Sequence, residues 1–120
     1  MSRRMRPKAW VRRFETSCRE WQVKLGLTDW TFRFETVKGD GTYVATVDMD
    51  AETREAKFKA FKYAKHDDPP ERIGLHETLH VLFVEMLETA ARRGDAAHVD
   101  VAREEHRAIE RLVNYMEGTA

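Results

Sequence analysis

Apolar positions in the first part of the chain recur at helical spacing. Trp10, Phe14, Cys18, Trp21 and Leu25 share one face of a 3.6-residue repeat, and Arg12, Arg13, Glu15, Arg19 and Glu20 cover the other. The pattern predicts an N-terminal helix stopped by Gly26. The period then drops to two. Trp30, Phe32 and Phe34 alternate with Thr31, Arg33 and Glu35. Past the turn-forming Lys38-Gly39-Asp40-Gly41, Tyr43, Ala45 and Val47 alternate with Thr42, Val44 and Thr46, which predicts a hairpin partner. Asp48-Met49-Asp50 reads as polar and turn-like. A third run sets Ala56, Phe58 and Ala60 against Lys57, Lys59 and Phe61, and its lysines suit an exposed sheet edge. The expected product is a small three-stranded antiparallel sheet.

Beyond His66-Asp67-Asp68-Pro69-Pro70 the helical period returns. Asp68 suits an N-cap, and Pro69, Pro70 and Glu71 suit a first turn. Leu75, Leu79, Leu82, Phe83, Met86 and Ala90 mark a helix to about Arg93, ended by Gly94. A last helix is expected from about Ala96 to Glu117, with Val101, Ala108, Ile109, Leu112, Val113 and Met116 on one face. The expected architecture is α+β, one domain over residues 1–120, in the order helix, three strands, helix, helix.

Composition narrows the class. With 120 residues, 42% hydrophobic and 35% charged, the chain is neither a disordered polyampholyte nor a disulfide scaffold. No stretch approaches the roughly 18–20 apolar residues of a membrane span. No apolar run follows Arg3, Arg4 and Arg6, so no secretory signal is expected. Cys18 is alone, which suits a reducing cytoplasm. Net charge is zero but polarised: residues 1–24 carry eight basic and two acidic side chains, a balance of +6, and the remainder carries −6. No aromatic interleaving turns that basic segment into a base-stacking surface, so it reads as a solvated helix face and nucleic acid is not an expected partner.

The chemistry concentrates in His76-Glu77-Thr78-Leu79-His80, a complete HExxH. On a helix its histidines stand one turn apart, near enough to share one metal ion. Zinc accepts imidazole nitrogens, and a catalytic zinc site keeps one position open for water. Glu77 is placed to take a proton from that water as general base. The neighbours Ile73-Gly74-Leu75 and Val81-Leu82-Phe83 are uncharged, so histidines here without a partner would cost free energy.

A third protein ligand is expected. The extension HExxHxxGxxH is absent, because Phe83 and Met86 occupy its Gly and last His positions. A glutamate from the following helix is the other common solution. Glu105 lies near the centre of the stripe formed by Val101, Ala108, Ile109, Leu112 and Met116. A carboxylate aimed at a core must be paired, protonated or metal-bound. Glu104, about 100° round the helix, is the runner-up, and a buried salt bridge from Glu105 to an arginine is the bland alternative.

His76-Glu77-Thr78-Leu79-His80 followed by Glu105-His106-Arg107-Ala108-Ile109 resembles the gluzincin-type zinc metallopeptidases, most of all their minimal forms of about this length. The resemblance runs over residues 29–116. It implies a zincin-like fold with zinc on His76, His80 and Glu105, and Glu77 activating water against a peptide bond. It also implies a peptide or protein substrate aligned by strand addition along an edge strand beside the zinc helix, around Ala56–Phe61. Larger gluzincins carry an acidic residue four positions after the ligand glutamate to orient a zinc-bound histidine. Here that position is Ile109, so another partner is needed. Their histidine or tyrosine that stabilises the tetrahedral intermediate has three counterparts, His98, His106 and Tyr115. The alternative to an enzyme is a non-catalytic domain in which zinc ties two helices together beneath a protein-binding surface.

Overall fold

The computed structural model describes residues 7–39, 44–61, 68–92 and 101–118. Within them the chain forms α1 (Pro7–Lys24), β1 (Thr31–Val37), β2 (Ala45–Asp50), β3 (Glu55–Phe61), α2 (Pro70–Arg92) and α3 (Val101–Gly118). The α+β class and the order of elements follow the sequence pattern. Gly26 ends the first helical segment at φ 71°, a conformation that costs glycine little. Gly94 and the expected start of the last helix at Ala96 lie outside the described residues.

The sheet departs from expectation in its connectivity. It is mixed, in the order β1-β3-β2, with β1 parallel and β2 antiparallel to β3. No β1–β2 hairpin forms, and the lysine-bearing strand expected at an edge is central. The inward face of β3 explains its position, because Ala56, Phe58 and Ala60 are the most deeply buried set in the sheet. Its outward lysines meet anions on both flanks: Lys57 Nζ lies 2.9 Å from Glu35 on β1, and Lys59 Nζ lies 3.3 Å from Asp48 on β2. Cross-strand pairs of this kind favour a basic strand between two acidic ones. Asp48-Met49-Asp50 also proves to be strand, with Met49 packed inward and both aspartates exposed. The turn comes later, where the Asp50 carboxylate accepts from the backbone N–H groups of Glu52 and Thr53.

The main core lies between the sheet, α1 and α2. Trp10, Phe14, Cys18, Trp30, Phe32, Phe58 and Val81 meet there. Phe34 stacks on Phe58 at 5.0 Å between centroids, and Phe14 meets both rings edge-on. A smaller cluster of Leu75, Leu79, Ile109 and Val113 joins α2 to α3, so α2 is gripped from two sides.

α1 fixes the first turns of α2 closely. The Trp10 indole N–H donates to the Asp68 carbonyl, Ser17 Oγ donates to the Glu71 carbonyl, and Arg13 pairs with Glu71. Gly74 makes the approach possible: a Cβ there would stand 2.7 Å from Ser17 Cβ and 3.3 Å from the Phe14 carbonyl oxygen. Among the described residues no helix is long and apolar enough to cross a membrane.

Candidate metal centre

The HExxH segment sits in the middle of α2, where the helix passes from the main core to the α3 interface. Thr78 and Leu79 are buried, and Thr78 is satisfied by donating to the Gly74 carbonyl at 2.7 Å. His76 and His80 lie at the opening between β2 and α3, with side chains 16% and 22% exposed. Two cavities, of about 340 and 290 Å³, meet here and share Ala45, His76 and Glu77. Asp68, Arg72 and Glu110 line the first, while Thr46, Val47, Met49, His80 and His106 line the second.

The Nε2 atoms of His76 and His80 face each other at 3.3 Å. Their other ring nitrogens are engaged by α3. Nδ1 of His76 lies 2.7 Å from Glu110 Oε1, and Nδ1 of His80 lies 3.2 Å from Glu105 Oε1. Imidazoles donating Nδ1–H to carboxylates turn unprotonated Nε2 lone pairs toward each other. Burial, followed by the neighbouring His80, lowers the pKa of His76 against the opposing pull of Glu110, which favours the neutral form that binds metal.

His106 completes the cluster. Ligating atoms of His76, His80 and His106 all lie within 4.8 Å of one another, with the His106 ring 5.5 and 6.4 Å from the other two. Two nitrogens bound at about 2.0–2.1 Å to a tetrahedral ion stand roughly 3.3–3.4 Å apart. The His76–His80 spacing matches that figure, so the two nitrogens could hold one ion without moving apart. The His106 side chain is exposed, and its ligating atom stands within 4.8 Å of those of the pair.

Glu77 is buried, and burial alone pushes its carboxyl up to about 8. A carboxyl raised this far keeps its proton at neutral pH, and a cation beside it would be needed to ionise it.

His76, Glu77, His80 and Glu105 are brought to one place between α2, β2 and α3. Glu105 points inward as its periodicity implied, with 15% side-chain exposure, and its partner is His80 rather than an arginine. The strand beside the histidines is β2 and not the expected Ala56–Phe61, because β3 is paired on both sides. Tyr115 is exposed on α3 and lines neither cavity. The side chain of Glu104 and the whole of His98 lie outside the described residues.

Neither the motif nor the apolar stripe singles out Glu110, although the sequence carries a signal for it. Arg72, His76 and His80 recur every four residues on α2, and Asn114, Glu110 and His106 recur every four on α3. Run antiparallel, the two rows form polar rungs: Arg72 donates to Asn114 at 2.7 Å, His76 meets Glu110, and His80 meets the Glu105–His106 step. No family model matches the chain, and no curated protein or solved structure matches it either.

Proposed function

We propose that the chain is a zinc-dependent metallopeptidase with a zincin-like arrangement, its metal held by His76 and His80 on α2 together with a donor from α3. The observation that carries this reading is the 3.3 Å separation of two Nε2 atoms, beside a buried glutamate at a cavity wall. Zinc bound there would polarise a scissile carbonyl and acidify a water molecule.

Glu77 then supplies the base. Its carboxylate takes a proton from the attacking water and returns it to the leaving amide nitrogen. A cation nearby favours the ionised form that this role requires. Peptide substrates are favoured by the edge of β2, which is the outer strand in the order β1-β3-β2 among the described residues and whose Ala45, Thr46, Val47 and Met49 line the second cavity. An extended chain pairing with that edge would pass directly over His76 and Glu77. The single buried thiol suits a reducing, cytoplasmic setting.

The test couples metal analysis to hydrolysis of a quenched-fluorescent peptide pool. One zinc per chain is expected, with cleavage stopped by a chelator and restored by zinc. Glu77→Gln should keep the metal and lose at least 100-fold in rate. Undiminished cleavage in Glu77→Gln would overturn the mechanism. Stoichiometric zinc with no cleavage by the wild type would leave a structural metal domain instead.

A further inference from the structure

Resting on that reading, the geometry points to a three-imidazole centre: His106 is the third metal ligand, and Glu105 and Glu110 are positioning residues that lock the other two histidines. The ring geometry of His80 decides the role of Glu105. Its carboxylate sits on Nδ1, across the ring from Nε2, and therefore on the side facing away from an ion held between the two Nε2 atoms. Serving as ligand would require Glu105 to leave His80 and cross the ring. His106, the next residue along α3, already belongs to the trio whose ligating atoms lie within 4.8 Å.

The two carboxylates act through hydrogen bonds. Glu110 on His76 and Glu105 on His80 each accept from Nδ1–H, which fixes the tautomer and aims each Nε2 at a common point. With both protons on Nδ1, two Nε2 atoms 3.3 Å apart have no hydrogen to share, and a cation between them would convert that repulsion into coordination. Arg72 extends the rung on the first side, lying 3.8 Å from Glu110. α3 thereby contributes one ligand and both orienting anions, filling the need left by Ile109 at the expected acidic position.

The experiment reads metal and tautomers instead of turnover. Zinc affinity is measured by chelator competition for the full chain and for His106→Ala, Glu105→Ala, Glu105→Gln and Glu110→Gln. The zinc shell is counted by X-ray absorption, and imidazole tautomers in the metal-free protein are read by ¹⁵N-histidine NMR. Three imidazoles are expected in the wild-type shell. His106→Ala should show two, with affinity reduced at least 100-fold. The Glu105 and Glu110 variants should keep the three-imidazole shell, lose about 10–100-fold in affinity, and release the Nδ1–H tautomer of the histidine each one serves. Circular dichroism confirms that each variant is folded, and the Gln variants retain an acceptor oxygen to preserve the helix contact.

A wild-type shell of two imidazoles and one carboxylate would overturn the assignment. So would His106→Ala at full affinity beside a metal-free Glu105→Ala. Failure of this inference is distinct from failure of the peptidase reading. A protein that binds zinc and cleaves peptide without His106 loses only the ligand assignment, whereas a wild type that takes up no divalent ion loses both.

Discussion

Replacing Gly74 by alanine sets two effects of known size against each other. Alanine in a helix interior gains about 1 kcal/mol over glycine. Against that, the new methyl carbon would lie 2.6 Å from Ser17 Oγ and 2.7 Å from Ser17 Cβ. The hydroxyl can rotate away, but the Ser17 Cβ is fixed to the α1 backbone. Carbon contacts are comfortable at about 3.5–4.0 Å, so the helices must part by roughly 1 Å, and overpacking of this kind costs about 1–3 kcal/mol. The separation also loosens the Ser17–Glu71 and Cys18–Gly74 contacts. A net loss of up to about 2 kcal/mol is expected, seen as a fall in the urea midpoint at unchanged slope. Ser17→Gly, which removes the obstructing carbon, should rescue Gly74→Ala, leaving the double variant at least about 1 kcal/mol better than additivity. A higher midpoint for Gly74→Ala, or an additive cycle, would refute the close approach of α1 and α2.

Two further outcomes follow from the core. Burial pushes the Cys18 thiol well above its ordinary value of 9.0, so it should resist a thiol reagent at pH 8 until the protein unfolds. Because the native state keeps a proton that the unfolded state releases, stability should be unaffected by this group below pH 9 and fall above it by up to about 1.4 kcal/mol per pH unit; an equal slope in Cys18→Ala would contradict this. Glu85 accepts from the Trp30 indole at 3.0 Å and pairs with Arg54 at 3.2 Å, beside the Arg54 guanidinium over the Trp30 ring. Glu85→Ala should therefore cost about 1–3 kcal/mol and alter Trp fluorescence, and an unchanged melting curve would remove Glu85 as an anchor.

Much of this molecule is legible in its sequence because periodicity reports which face of an element is buried. Trp10, Phe14 and Cys18 on α1, and Leu75 and Leu79 on α2, point where their spacing requires. Periodicity is silent about neighbours. Alternation in β1, β2 and β3 predicts an inward row for each strand, and that row is equally satisfied beside either partner. The order was instead marked by charge, with Lys57 and Lys59 flanked by Glu35 and Asp48. The site divides in the same way. HExxH is local and visible, and the inward direction of Glu105 follows from its stripe. Which ring nitrogen Glu105 meets depends on how α3 is rotated and slid along α2, and only the paired four-residue rows record that.

The division of the centre between two helices has a consequence for its assembly. α2 is rooted in the large aromatic core, whereas α3 is attached through four buried aliphatic side chains and the polar rungs. Local opening takes the weakest-held segment first, so α3 can lift away while HExxH keeps its helix. The centre then behaves as a clasp with one fixed jaw. An ion bound as proposed would grip both jaws and fasten α3 onto α2.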